Sequence, residues 1–431
     1  MKSSSVYYPE LREYVAGISL VDCHDHSCVV GPKVEDAIQF LVGGYFESDL
    51  QSASSPKAVR AVLDAKRPLA ERWPEFEAIW RRTCHTGYAQ VVRRVLQHFF
   101  GQSEMSLAAL EHVQANLPNI GDPAMFDGIL EEAKIAARLE DCWADANAVL
   151  AGTYQLSPRG RLIISLVAPH SVRDFNAVQS VMAPLGRHVT TLDEYLEGCC
   201  ELFTAFKNYG AVAFKDQSAY TRTLAYQNPT RAEAEAAFNW IMADPRRVLS
   251  YPEGSQPLDD YLFHCFMRMA RDLDLPVQIH TGHMAGIRND IVKTNAIWLT
   301  SLIELHQETR FDLFHANWPY AGELLYLGKN YPNVTLDFCW ANIIDPIYCQ
   351  QLFKQALSSV PHAKVHGYGS DYFGGGIASA WAHADITRDN IAIALAEMVA
   401  DEYMSLDEAK EVAYGWMYSN ANAFFRLGLP D

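Results

Sequence analysis

No stretch of this chain reaches the eighteen or so uninterrupted apolar residues that a membrane-crossing helix needs, so a membrane span is not expected. Met1 to Tyr14 hold no apolar core of the kind a secretory leader carries, which makes a cytoplasmic protein the expectation. Positive charge is scarce. The 35 lysines and arginines face 52 aspartates and glutamates, a net charge of −17 that repels polyanions, and no basic stripe offsets it. Sequence-independent nucleic-acid binding is therefore excluded as an expectation. The nine cysteines are an odd number without regular spacing, and Cys23, Cys28, Cys265 and Cys339 lie in apolar surroundings, so free buried thiols are expected in place of a disulfide framework. No Gly-rich phosphate loop marks a flavin or phosphate-binding barrel. No repeat of fixed period, low-complexity tract or linker divides the chain, so residues 1–431 are read as a single domain.

What is there is an ordinary globular composition, 49% hydrophobic and 20% charged, with ample material for a core. Near the N-terminus the apolar run Ile18-Ser19-Leu20-Val21 ends in His24-Asp25-His26. In a buried strand, side chains two apart project to the same side, so His24 and His26 converge on one point while Asp25 faces the helices. Similar runs recur. Pro276 to Ile279 lead to His280, Phe311 to Phe314 to His315, and Lys364 to Ser370 to Asp371, with a further strand expected at Asn333 to Phe338. Arg161 to Val167 and Gly210 to Lys215 read as earlier strands, and helical segments separate them. Polar residues at the carboxyl ends of alternating strands and helices predict a (β/α)8 TIM barrel, whose active site collects residues scattered through the sequence.

The segment from about 31 to 120 breaks this rhythm. Trp80, Val91, Val92, Val95, Leu96 and Phe99 fall on helical spacing, with Arg81, Arg82, Arg93 and Arg94 on the other face, so a helical insertion after the first strand is expected. Asp122-Pro123 reads as an N-cap followed by proline at the first helical position, opening a helix expected to end near Ala137. Further helices are expected from Pro229 to Asp244, from Asp259 to Asp272 and from Thr387 to Tyr403, and Ser405 with Glu408 forms a capping box for the last long one.

Taken together, Val21-Asp22-Cys23-His24-Asp25-His26, Ala213-Phe214-Lys215, Gln278-Ile279-His280-Thr281-Gly282-His283, Phe314-His315-Ala316-Asn317-Trp318-Pro319 and Gly369-Ser370-Asp371-Tyr372 resemble the amidohydrolase superfamily, in its amidohydrolase-2 or amidohydrolase-related branch. The likeness is to the amidohydrolase-like part of nodulin and glutamine-synthetase-like fusion proteins, and more distantly to uronate isomerases and metal-dependent decarboxylases. The resemblance implies that His24, His26, His280 and Asp371 hold one divalent ion while His315 faces the substrate. Three imidazoles and a carboxylate suit Zn2+, with Mn2+ also compatible. It also implies a homo-oligomer.

Beside such an ion a carboxylate can take a proton from water, and a histidine with an ordinary pKa near 6.5 can polarise a carbonyl or protonate a leaving group. Asp371 and His315 are the candidates for those two roles. Lys215 is read as a cationic contact for an anionic substrate, the alternative being a carbamylated lysine bridging two ions. Arg222 and Arg288 are further candidates for gripping a carboxylate, or else surface ion pairs. His283 touches substrate or supports another ligand through a hydrogen bond, and Trp318 lines the mouth of the site. The functional expectation is a metal-dependent hydrolase cutting a C–N or C–O bond of a small, anionic substrate. Decarboxylation or uronate-type isomerisation at the same site is the alternative, and a non-catalytic scaffold the third reading.

Overall fold

A computed structural model describes residues 3–29, 34–374 and 376–430 of the chain. Nine parallel strands run through it: β1 (Leu20–Ser27), β2 (Ile135–Glu140), β3 (Gly160–Ser165), β4 (Ala213–Asp216), β5 (Val277–Ile279), β6 (Phe311–Leu313), β7 (Val334–Asp337), β8 (Val365–His366) and the short β9 (Phe373–Gly374). Each of β1 to β7 pairs with the next in sequence order, and β1 pairs with β9 on its other side. The chain between β8 and β9 completes the circuit. Its Tyr368 and Tyr372 carbonyls accept the amides of Cys23 and His26, at 3.1 and 3.0 Å, and the Asp371 amide donates to the His24 carbonyl at 2.9 Å. Eight parallel strands in a nearly closed cylinder, flanked by helices, make a (β/α)8 barrel.

Burial on both faces explains the strand compositions. All eight residues of β1 are buried, and β4 to β8 show no exposed position. The polar side chains within them therefore meet partners inside the protein. Asp25 faces away from its histidine neighbours, and its partner is the guanidinium of Arg138 on β2, with Nε 2.9 Å from its Oδ2. Among the described residues no helix is long and apolar enough to cross a membrane.

The stretch between β1 and β2 is helical, with six helices from Ala37–Val42 to Leu107–Ala115 before the Pro123–Glu132 helix. The first positions of the expected insertion, 31–33, lie outside the described residues. The Gly87–Phe100 helix is capped by the Thr86 side chain and stopped by left-handed Gly101. It lies hard against the loop after β7: a Cβ on Gly87 would stand 2.1 Å from the Ile343 carbonyl oxygen. The insertion thus covers part of the barrel's carboxyl-end face.

Three expectations need correction. The helix opened by Asp122-Pro123 ends at Glu132, not near Ala137, and Ile135–Glu140 is the second barrel strand. Its Ala-Ala-Arg centre looks helical, yet Arg138 is fixed in a strand by carboxylates on β1 and β2. The helix expected from Thr387 spans Ile377–Ala400 and is buried almost all round, so it shows no amphipathic stripe to mark its start. The β8 ladder covers only Val365–His366, after which the chain bends toward Asp371. The helices Arg231–Met242 and Gln256–Asp272 and the Ser405–Glu408 capping box are as expected.

Candidate metal centre

The carboxyl ends of β1, β4, β5 and β8 surround a cavity of about 220 Å³ lined by His24, His26, Lys215, His280 and Asp371, together with aromatic side chains. His24 Nε2 and His26 Nε2 stand 3.1 Å apart. Asp371 Oδ1 is 3.5 Å from the first and 3.2 Å from the second. Nitrogen and oxygen ligands about 2.0–2.2 Å from a tetrahedral ion are themselves about 3.3–3.6 Å apart, and the triad's spacings of 3.1, 3.2 and 3.5 Å lie within about 0.2 Å of that range. His280 Nδ1 lies 3.1 Å from His315 Nε2, and His315 Nε2 is 3.8 Å from Asp371 Oδ2.

The protonation of these rings follows from their other nitrogens. His26 Nδ1 is 2.5 Å from the Asp141 carbonyl oxygen, His280 Nε2 is 2.8 Å from that of His283, and His315 Nδ1 is 3.1 Å from that of Cys339. A carbonyl only accepts, so each of these nitrogens carries the proton; in His280 and His315 the opposite nitrogen is left as a lone pair, whereas His26, against the effect of burial, has its pKa raised by its hydrogen bond to Asp371. His280 Nδ1 and His315 Nε2 then meet as two acceptors, a contact that a shared proton or a cation relieves. Burial lowers the pKa of His24, His280 and His315 well below the usual histidine value, with the Lys215 charge and the neighbouring imidazoles adding to it. At neutral pH these three are uncharged, the form in which imidazole binds a metal. His24 Nδ1 and one oxygen of Asp141 have no hydrogen-bond partner among the described residues.

Asp371 is held from three sides. Its amide donates to the His24 carbonyl, its carbonyl accepts the Tyr45 hydroxyl, and the preceding Ser370 donates both amide and hydroxyl to Asp22, at 2.9 and 2.6 Å. Left-handed backbone recurs at the strand ends, at His315 (φ 62°), Trp340 (φ 61°) and Asp371 (φ 58°). Non-glycine residues pay energy for that geometry, and these three lie at the carboxyl end of the barrel, beside the candidate site. Gly282, with φ +67°, lets the loop after β5 cross the loop after β6, since a Cβ there would sit 2.5 Å from the Asn317 backbone.

Lys215, on β4, is 1% exposed, and its ammonium has no hydrogen-bond partner among the described residues. It rests 3.7 Å from the centre of the Phe314 ring. Burial lowers its pKa, opposed by the charges of Asp371 and Asp141. The two arginines are elsewhere. Arg222 is buried in an ion pair with Asp260, stacked 4.2 Å over Tyr226, and does not line the cavity. Arg288 is an exposed loop residue, also outside the lining. His283 contributes its carbonyl to His280, while its ring, about 4 in pKa because of burial, lies 3.5 Å from the Tyr88 hydroxyl and against Trp340. Trp318 is half-buried against His283 and does not reach the lining.

Several residues of the site were not anticipated. Asp141, which follows β2, has a carboxylate oxygen within 4.8 Å of a ligand nitrogen on each of His24 and His26, and its Oδ2 accepts Gln217 Nε2 at 2.7 Å. Cys339 stands in a similar group with His315 and Asp371. Trp143 and Phe373 stack on the two faces of His26, with ring centres 5.2 and 4.7 Å away. Tyr45 comes from the helical insertion. The one signal that pointed to Asp141 was its position two residues past an apolar run, hidden by reading that run as the end of a helix.

Protein fluG of Emericella nidulans is 22% identical over 270 residues, 60% of this chain, and the chain spans about 30% of that relative's length. A uronate isomerase from Thermotoga maritima shares the fold over 98% of both chains at 15% identity, with a TM-score of 0.76. A putative metal-dependent hydrolase from Lactobacillus casei does so over 97% of this chain and 98% of its own, at 17% identity and a TM-score of 0.68. A glucuronate isomerase from Caulobacter crescentus, 19% identical, covers 100% of this chain and 96% of its own with a TM-score of 0.70. The amidohydrolase family model matches residues 208–427, slightly more than half of the sequence and including Lys215, His280, His315 and Asp371, and the chain belongs to the amidohydrolase family.

Proposed function

We propose that this chain is a metal-dependent hydrolase that cleaves a C–N or C–O bond of a small, anionic substrate. His24, His26, His280 and Asp371 are the proposed ligands of one divalent ion, Zn2+ by donor type and Mn2+ as the alternative. The observation that carries this reading is the convergence of His24 Nε2, His26 Nε2 and Asp371 Oδ1, 3.1 to 3.5 Å apart, on one cavity that His280 also lines. An ion bound there supplies an acidified water and a Lewis acid for a carbonyl oxygen.

The chain's own groups do the rest. Asp371 accepts the proton that the attacking water loses. His315 is uncharged at rest, so it does not act as a ready-made acid; it takes the proton across the 3.8 Å from Asp371 Oδ2 to Nε2 and passes it to the leaving group. Lys215 pairs with the substrate's anionic group, since its ammonium is buried without a partner of its own. Tyr45, Trp143, Tyr220 and Phe373 line the cavity and exclude water from it.

Lys215→Met is expected to raise KM for anionic substrates by about 10- to 100-fold, the worth of a charged hydrogen bond, with metal content unchanged. Loss of a second equivalent of metal in this variant would instead make Lys215 a carbamate bridge. The activity itself is tested on zinc- and manganese-loaded protein with anionic amides, lactones, aromatic acids and uronates, following new amine or hydroxyl, CO2 and sugar-acid isomers separately. New amine or hydroxyl supports the hydrolase. Release of CO2, or isomerisation of the kind for which the Thermotoga maritima and Caulobacter crescentus proteins are named, replaces it with the corresponding non-hydrolytic reading. Inertness across the whole panel favours the scaffold.

A further inference from the structure

Beside the metal centre lies a second cavity, of about 270 Å³, between the end of β3 and the helices Phe175–Met182 and Leu192–Tyr209. Its walls are apolar, with Ile164, Val181, Leu202, Phe203 and Phe206 among them. Close-packed interiors leave few voids larger than a water molecule, and a dry apolar cavity of about 150 Å³ already admits benzene. Two features join this space to the site. Trp143 lines both cavities, with its indole stacked on His26. Ser165 lines the second cavity and pairs in register with Lys215, which lines the first. The Ser165 hydroxyl is buried and has no hydrogen-bond partner among the described residues, which gives the junction one polar point.

We infer that this cavity is a subsite for an apolar group of the substrate, an aryl ring or short alkyl chain, attached to the anionic head that binds beside Lys215 and the metal cluster. The inference rests on the function proposed above and adds the substrate class: a small amphiphilic acid derivative and not a polyhydroxylated one. A tail of that kind exchanges water for the walls formed by Val181, Leu202, Phe203 and Phe206, while Trp143 stands between head and tail. The concave shape and size fit a single small group and are too confined for a helix or strand of another protein.

The test is a calorimetric titration of the zinc-loaded protein with acetate, butanoate, hexanoate and octanoate. Burial of each added methylene is expected to tighten binding about fourfold until the cavity is full. Ala168→Phe places a ring into the cavity from its exposed rim, and Ser180→Phe does the same from the facing helix, so either variant is expected to abolish the dependence on chain length while zinc uptake stays the same. A flat series in the wild-type protein, or an undiminished slope in both variants, overturns the subsite and leaves the metal reading intact. Failure of the wild-type protein to take up either zinc or manganese overturns the reading on which the subsite rests.

Discussion

Replacing Asp371 by asparagine is expected to strip the site of its ion and to reduce turnover to below about 1% of the wild-type value. The substitution keeps the shape of the side chain. It leaves in place the backbone N–H hydrogen bond to the His24 carbonyl, the Tyr45 hydroxyl on the carbonyl of residue 371 and the Ser370 contacts with Asp22, none of which involves the Asp371 carboxylate. What it removes is, among the described residues, the one anion whose oxygen lies within 3.5 Å of both His24 Nε2 and His26 Nε2. Losing an outer partner of a metal ligand costs about 10- to 100-fold in affinity, and losing a charged ligand costs more. Competition with a chromophoric chelator measures the loss, and an unaltered thermal unfolding profile of the metal-free protein shows that the fold is intact. Wild-type zinc affinity in this variant would remove Asp371 from the ligand set.

The second large effect is on stability. Arg138 is wholly buried on β2, where its guanidinium meets Asp25 Oδ2 at 2.9 Å and Glu140 Oε2 at 3.0 Å and also donates to the Ser27 carbonyl. Arg138→Leu leaves two carboxylates at most 3% exposed without their counter-ion. Breaking a buried pair by removing one partner typically costs about 3–5 kcal/mol, far more than the same change at the surface. Urea unfolding is expected to shift to a clearly lower midpoint. The double variant Asp25→Asn/Arg138→Leu recovers part of the loss, because one orphaned charge is gone. A midpoint within error of wild type would show that the network contributes nothing. Because Asp25 sits between His24 and His26, and Glu140 beside Asp141, metal affinity is expected to fall in the single variant as well.

Much of the barrel was legible because its strands are short apolar runs that end in a histidine or an aspartate, and period-two alternation alone put His24 and His26 on one side and Asp25 on the other. The site became a site only because those ends meet in a barrel. What escaped depends on contacts between residues far apart in sequence. β2 contains an arginine and two alanines, and a buried arginine there is made acceptable by the Asp25 carboxylate, from another strand, together with Glu140. Reading it as helix hid Asp141. For Arg222 the sequence left a substrate contact and an ion pair open, because nothing local shows that Asp260, on the Gln256–Asp272 helix, pairs with it. Tyr45 and Tyr88 come from the insertion, whose helices are evident from their periodicity but whose docking over the barrel mouth is not.

The most direct test of the account is the metal content of the protein, measured by plasma mass spectrometry after purification without chelating resin and incubation with zinc or manganese. One tightly held ion per chain, lost on Asp371→Asn, is the predicted result. A chain that retains no ion after either incubation would contradict the account.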